Sequence, residues 1–233
     1  MIYIVNIKGF FIMPNITIKF DLVEDAINWW EAGNKISHGV VWKDLMKPEL
    51  QDRIVGKTKE EALEFLFLYL GDYYKNRNLE DYTKEIQAGF DSIKDSLFSR
   101  MESVTGHPIY RSDFTLFITS FNRFPYNYDQ GYVWISDRGD IDKQVGIFIH
   151  ELLHFQYFAY FGERIWKELG PKLHGEIKEA MTVILNEEFK DITSVRDKGY
   201  LIHREMRDNL LKIWQKERNM ERFIEQTIKF YKS

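Results

Sequence analysis

The sequence predicts an α+β fold that is mainly helical. Three observations carry that expectation. Several windows repeat apolar residues three and four apart, with helix-start signals just ahead of them. Only a few short stretches alternate in strand fashion. No internal repeat, low-complexity tract or linker interrupts the 233 residues, which suffice to bury a substantial core. We therefore expect one domain over residues 1–233, with a helical and strand region over 1–110 and a second region over 111–233.

Residues 1–13 are apolar but too short to span a bilayer. They hold Lys8 and Gly9, and they lack a basic leader and a small-residue cleavage site. One or two strands are expected there, unless Met13 is the true start. Residues 16–20 alternate as a strand. Asp21 and Glu24 form a capping-box pattern before a helix over 22–32, and Gly33 reads as its stop. Thr58 and Glu61 open a helix over 60–74, with Leu63, Leu66, Phe67 and Leu70 on one stripe. Ile86, Phe90, Ile93 and Leu97 mark the buried face of a helix over 81–101.

Residues 114–120 and 132–136 read as strands joined by the turn-rich stretch 122–131. A β-hairpin with a long loop is expected immediately before a helix over 142–161. Gly170-Pro171 breaks the chain after that helix. Further helices are expected over 176–189, 194–216 and 220–232.

Composition narrows the function classes. The formal net charge is −4 and no basic stripe appears, so no nucleic-acid partner is expected. No stretch reaches transmembrane length, so no membrane span is expected. There is no Cys, which excludes disulfides and thiolate metal ligands. That usage fits a reducing interior, and a cytoplasmic location is the expectation.

The helix over 142–161 contains His150-Glu151-Leu152-Leu153-His154, an H-E-x-x-H motif. Residues four apart on a helix share a face, so both imidazoles can grip one ion. Glu151 lies beside them, within reach of a water activated by that ion. The flanking residues are apolar, and two histidines with a carboxylate are costly to bury there unless a metal satisfies them. Asp140 and Asp142 suit the positive end of the helix. Chance is the bland alternative, in which the chain is a helical interaction protein with an accidental motif.

A catalytic zinc takes three protein ligands and keeps one position open. Tyr157 and Tyr160 stand where an extended motif would place Gly and a third His. The remaining candidates are downstream: Glu176, Glu179, Glu187, Glu188 and, more weakly, His174. In this segment the sequence resembles the gluzincin group of zincin metallopeptidases. Glu179-Ala180-Met181-Thr182 is similar to the group's ligand pattern of Glu, a small residue, an apolar one and Ala, Ser or Thr. The resemblance covers residues 132–186 and favours Glu179 over Glu176, although Glu179 sits off the helix's apolar stripe. It implies a zincin-like fold in which a small sheet or hairpin precedes the motif helix. The metal ligands would then be His150, His154 and Glu179 around Zn2+, with a peptide or protein as substrate.

The implied chemistry is hydrolysis of peptide bonds, with Glu151 as general base. Gluzincin-like enzymes often use a Tyr or His beyond the motif to stabilise the oxyanion. His203 and then Tyr157 are the candidates for that role. The strands over 114–120 or 132–136 would offer a peptide-pairing edge. Asp137, Asp142 or Asp191 would orient a ligand histidine. His38 and His107 read as ordinary surface or capping residues. The alternative function is a non-proteolytic zincin-fold regulator or binding protein whose zinc is structural, closed by a fourth ligand such as Glu176 or His174.

Overall fold

Strand β1 (Asn15–Phe20) buries Ile16 and Ile18 and exposes Asn15 and Lys19, the alternation of a half-covered strand. A computed structural model describes it within residues 13–232; the strands expected ahead of Met13 lie outside the described residues. Asp21 then caps α1 (Leu22–Asn34), its side chain accepting from the Val23 and Glu24 amides. Gly33 does not stop this helix. It lies inside it, and a Cβ there would stand 2.7 Å from an Ile54 side-chain carbon. The glycine is there for close packing.

A two-residue turn joins β2 (Ile36–Ser37) to β3 (Val40–Val41). His38 and Gly39 form it, with φ of 51° and 76°, the positive pair of a type I′ hairpin. A short α2 (Pro48–Ile54) leads to α3 (Lys59–Tyr74), opened by a complete Thr58–Glu61 capping box. Helix α4 (Leu79–Thr105) extends past the predicted span at both ends, with Asn78 at its start and left-handed Gly106 at its close.

Strands β4 (Asp113–Thr119), β5 (Tyr126–Asn127) and β6 (Tyr132–Ser136) complete a sheet of order β1-β4-β6-β5. The expected hairpin between β4 and β6 is corrected here, because they run parallel. Residues 120–131 are long enough to carry the chain back for a parallel pairing. Phe114, Leu116, Phe117, Ile118 and Thr119 are all buried, as befits a central strand covered on both faces. The hairpin that precedes the motif helix is the smaller one, β5 against β6. Neither β4 nor β6 is an edge; β5 is.

Asp140 caps α5 (Ile141–Tyr160) by accepting from the Lys143 amide. Helix α6 (Gly162–Ala180) bends at Gly170, where φ is 78°. With φ 78° and ψ 174°, Gly170 leaves the helical region altogether, so Gly170-Pro171 divides α6 into two helical stretches, the break that the sequence leads one to expect. The predicted helix over 176–189 is instead the end of α6, a 3-10 turn (Met181–Ile184) and α7 (Leu185–Glu188). The predicted helix over 194–216 is shorter: residues 194–200 form an irregular strap, followed by a 3-10 turn and α8 (Arg204–Glu217). Helix α9 (Met220–Lys232) closes the chain.

The molecule is therefore mainly helical with a small sheet. Phe90, Phe98, Phe114, Phe148 and Phe155 lie in one buried cluster, which joins α4, the sheet and α5. A second cluster, including Trp29, Ile54, Leu66 and Leu70, lies among α1, α2 and α3. Among the described residues, no helix is long and apolar enough to cross a membrane.

Candidate metal centre

One turn of α5 separates His150 from His154. Their ring centroids are 4.6 Å apart, with the planes near perpendicular at 80°. One donor atom from each of His150, Glu151 and His154 lies within 4.8 Å of the others, a group that could hold a metal ion. His154 is 1 % exposed, so it meets solvent only through the cleft.

The end of α6 faces these rings. Ile177, Lys178, Glu179 and Ala180 are all buried there. The off-stripe position of Glu179 does not expose it, because the side chain faces the imidazoles of α5 and the Lys178 ammonium. Glu179 Oε2 stands 3.5 Å from His154 Nε2 and 3.9 Å from His150 Nε2. Its other oxygen, Oε1, faces Lys178 Nζ at 2.5 Å and His38 Nε2 at 3.5 Å. Lys178 also donates to the Tyr126 hydroxyl at 2.9 Å.

The carboxylate that orients His150 is Asp197, on the strap, bonded to Nδ1. That leaves Nε2 turned toward Glu179. Asp197 is itself held firmly. Arg207 reaches its Oδ1 at 2.7 Å, and Thr182 donates to the same oxygen at 3.1 Å. Asn186 clamps the Asp197 backbone with bonds of 2.8 and 2.9 Å. The three acids expected in this role lie elsewhere. Asp137 binds Tyr73 and Arg77, Asp142 binds Ser194, and Asp191 binds Arg100.

Electrostatics follow from this burial. Desolvation opposes a charge on His150, but Asp197 outweighs it and raises the imidazole to about 9. Burial lowers His154 to about 3, so the ring is a neutral donor at ordinary pH. Burial raises the Glu151 carboxyl to about 7. Glu179 is desolvated too, yet His154, Lys178 and His150 hold it well below the usual carboxylate range. Glu151 Oε2 and His154 Nδ1 are buried without a hydrogen-bond partner.

Two cavities meet at His150, Glu151 and Tyr200. One, of about 300 Å³, continues past Trp42, Phe124, Ile147 and Val195. The other, of about 250 Å³, is polar and reaches Ser37, His38, Tyr126, Lys178 and Glu179. Tyr126 belongs to the edge strand β5, so the exposed sheet edge borders the cleft.

Several expected residues stand apart from these cavities. Tyr157 is buried in the core, where its hydroxyl donates to the His174 carbonyl at 3.1 Å. His203 lies in a layer behind the cleft, edge-on to His38 at 5.9 Å and to Tyr200 at 6.2 Å. It lines neither cavity. His174 packs against Tyr157, Phe158 and Trp166, and Glu176 lines neither cavity. In their place the structure brings Tyr200 and His38 into the cleft, with rings stacked at 4.7 Å. The His38-Gly39 pair carried a hairpin-turn signal. Arg196-Asp197-Lys198-Gly199 carried a loop signal. Read as such, they would have brought His38 and Asp197 forward.

No protein-family model, no curated protein and no solved structure matches the chain.

Proposed function

We propose that this chain is a zinc-dependent peptidase of gluzincin type. In this reading His150, His154 and Glu179 hold the ion, and Glu151 is the general base. The observation that carries it is donor spacing. Two donors about 2.1 Å from one ion and a tetrahedral angle apart stand about 3.4 Å from each other. Glu179 Oε2 lies 3.5 and 3.9 Å from the two imidazole nitrogens. The donor set, two imidazoles and a carboxylate without thiolate, is one that zinc accepts in open sites. The unpartnered Glu151 Oε2 also fits, because a base waiting for a water proton needs a free oxygen.

Bound there, zinc would lower the pKa of a water from about 15.7 toward 7 and polarise the substrate carbonyl. Glu151 takes the proton of the attacking water. Burial raises its carboxyl in the metal-free chain, which favours accepting the proton and then returning it. It then delivers that proton to the leaving amine nitrogen. Asp197, braced by Arg207, keeps the His150 ring in one orientation and tautomer. Tyr200 replaces His203 and Tyr157 as donor to the oxyanion. It lines both cavities, and burial together with nearby Glu179 and Glu151 keeps its hydroxyl protonated. The β5 edge pairs with an extended peptide through main-chain hydrogen bonds.

The test is Glu151→Gln. The variant should retain zinc and lose about 10²–10⁴-fold in peptide cleavage. Undiminished cleavage rejects the mechanism. The alternative of a structural zinc in a binding protein needs a fourth protein ligand, and His38, which lines the same cavity as both imidazoles and faces the other Glu179 oxygen at 3.5 Å, is the candidate. On that reading His38→Ala sheds zinc; on the peptidase reading it does not.

A further inference from the structure

Helix α5 supplies more of the cleft than the motif. Lys143, Gly146, Ile147, His150 and Glu151 line one cavity, the positions that share a helix face at offsets of three, four, seven and eight. Gly146 lets Val195 pack directly on the helix backbone, for a Cβ there would stand 2.9 Å from the Val195 side chain. Trp42, Phe124 and Val195 make the walls apolar. Along α5, Glu151 is the last of these positions lining the trough and Lys143 the first, its ammonium bonded to Ser136 and Arg138 where a neighbouring cavity begins.

That ammonium is unlike the other cations nearby. Arg123 is paired with Glu31 at 3.1 Å, Lys178 with Glu179 at 2.5 Å, and Arg138 with Asp137 at 3.1 Å. Lys143 donates only to neutral oxygens, Ser136 Oγ at 2.9 Å and the Arg138 carbonyl at 3.2 Å. Among the described residues no carboxylate lies within 4.0 Å of it. Asp137 and Asp140 act on it from beyond contact distance, and Arg138 opposes them. A partly buried ammonium whose carboxylates, Asp137 and Asp140, stand beyond contact distance keeps room for an anionic group on whatever fills the trough.

We propose that the cleft selects peptides with an apolar side chain beside the scissile bond and a carboxylate about four residues from it, bound by Lys143. The proposal rests on the peptidase reading for the position of the scissile bond. The spacing comes from the helix. Lys143 lies about nine residues before the midpoint of the two histidines, or about 13 Å at about 1.5 Å per residue. An extended peptide covers that distance in about four residues at about 3.3 Å each. Either the side chain of Asp or Glu, or a free C-terminus, supplies the carboxylate.

The experiment uses the zinc-loaded Glu151→Gln chain and measures binding of labelled peptides by fluorescence anisotropy. One pair carries Glu or Gln four residues beyond an apolar residue. A second pair ends at that position as a free acid or an amide. The acidic member of at least one pair should bind about tenfold more tightly than its neutral twin, and the responsive pair identifies the source. Adding Lys143→Gln should collapse the difference, and Lys143→Arg should restore it. Because the peptide pairs alone change the charge, a misfolded lysine variant does not decide the outcome. Equal binding within both pairs, no binding of any peptide, or a difference that survives Lys143→Gln overturns the proposal. Discrimination in binding without cleavage by the unaltered zinc-loaded chain rejects the peptidase and leaves the carboxylate site standing. Cleavage that is indifferent to the carboxylate does the reverse.

Discussion

Asp197→Asn is a small change with a large expected consequence. Asp197 Oδ2 accepts from His150 Nδ1, while Oδ1 accepts from Arg207 and Thr182. Asparagine keeps the shape but has only one acceptor oxygen. Arg207 cannot give up a proton, so the amide oxygen stays with the guanidinium and the NH2 turns to His150. His150 must then accept at Nδ1 and carry its proton on Nε2, the nitrogen facing Glu179. That tautomer cannot bind an ion at Nε2. Loss of a carboxylate partner typically costs a ligating histidine site about 10–100-fold in metal affinity, or about 1.4–2.7 kcal/mol. The forced tautomer puts this variant at the upper end. Competition against a chromogenic chelator measures the affinity, and circular dichroism checks that the chain is folded. Zinc affinity within about twofold of the parent, in a folded variant, would refute the reasoning.

Two further outcomes follow from the same network. In the metal-free chain His150 is raised to about 9 from about 6.5 when unfolded. The folded state therefore holds the extra proton, and the stabilisation is complete below about pH 6.5 and lost as pH rises through about 9. Thermal melts between pH 7 and 9 should show falling stability in the metal-free chain, and a flat profile after zinc loading or in Asp197→Asn; a flat profile in the metal-free parent contradicts the pairing. Glu179→Ala should abolish tight zinc binding and also destabilise the fold by about 3 kcal/mol, because it strands the buried Lys178 ammonium. Adding Lys178→Met should recover stability in denaturant titrations without recovering zinc, and recovery of both would deny Glu179 a ligand role.

The periodic helices were legible because their signals are local. Thr58 and Glu61 announced α3, and Asp140 stood at the start of α5. The motif histidines were legible because helix geometry alone puts them on one face. Strand pairing was not, because the direction of β4 against β6 is set by the crossing chain and the sheet's neighbours rather than by either strand's own pattern. The strap over 194–200 reads as helix in the sequence because its polar residues resemble a solvated helical face. Its purpose, holding Asp197 against His150, is a long-range contact. His203 is a candidate from sequence as a histidine beyond the motif, whereas Tyr200 lines the cleft. Three residues of offset in a 3-10 turn separate the two, and sequence does not encode which one faces inward.

Every functional statement above rests on the proposal that one zinc ion binds between α5 and the end of α6. Its direct measure is metal content by mass spectrometry, after zinc loading and desalting, of the parent chain and His154→Ala. The account predicts about one zinc per folded parent chain and almost none in the variant. A folded parent without zinc, or a variant that retains as much as the parent, contradicts it.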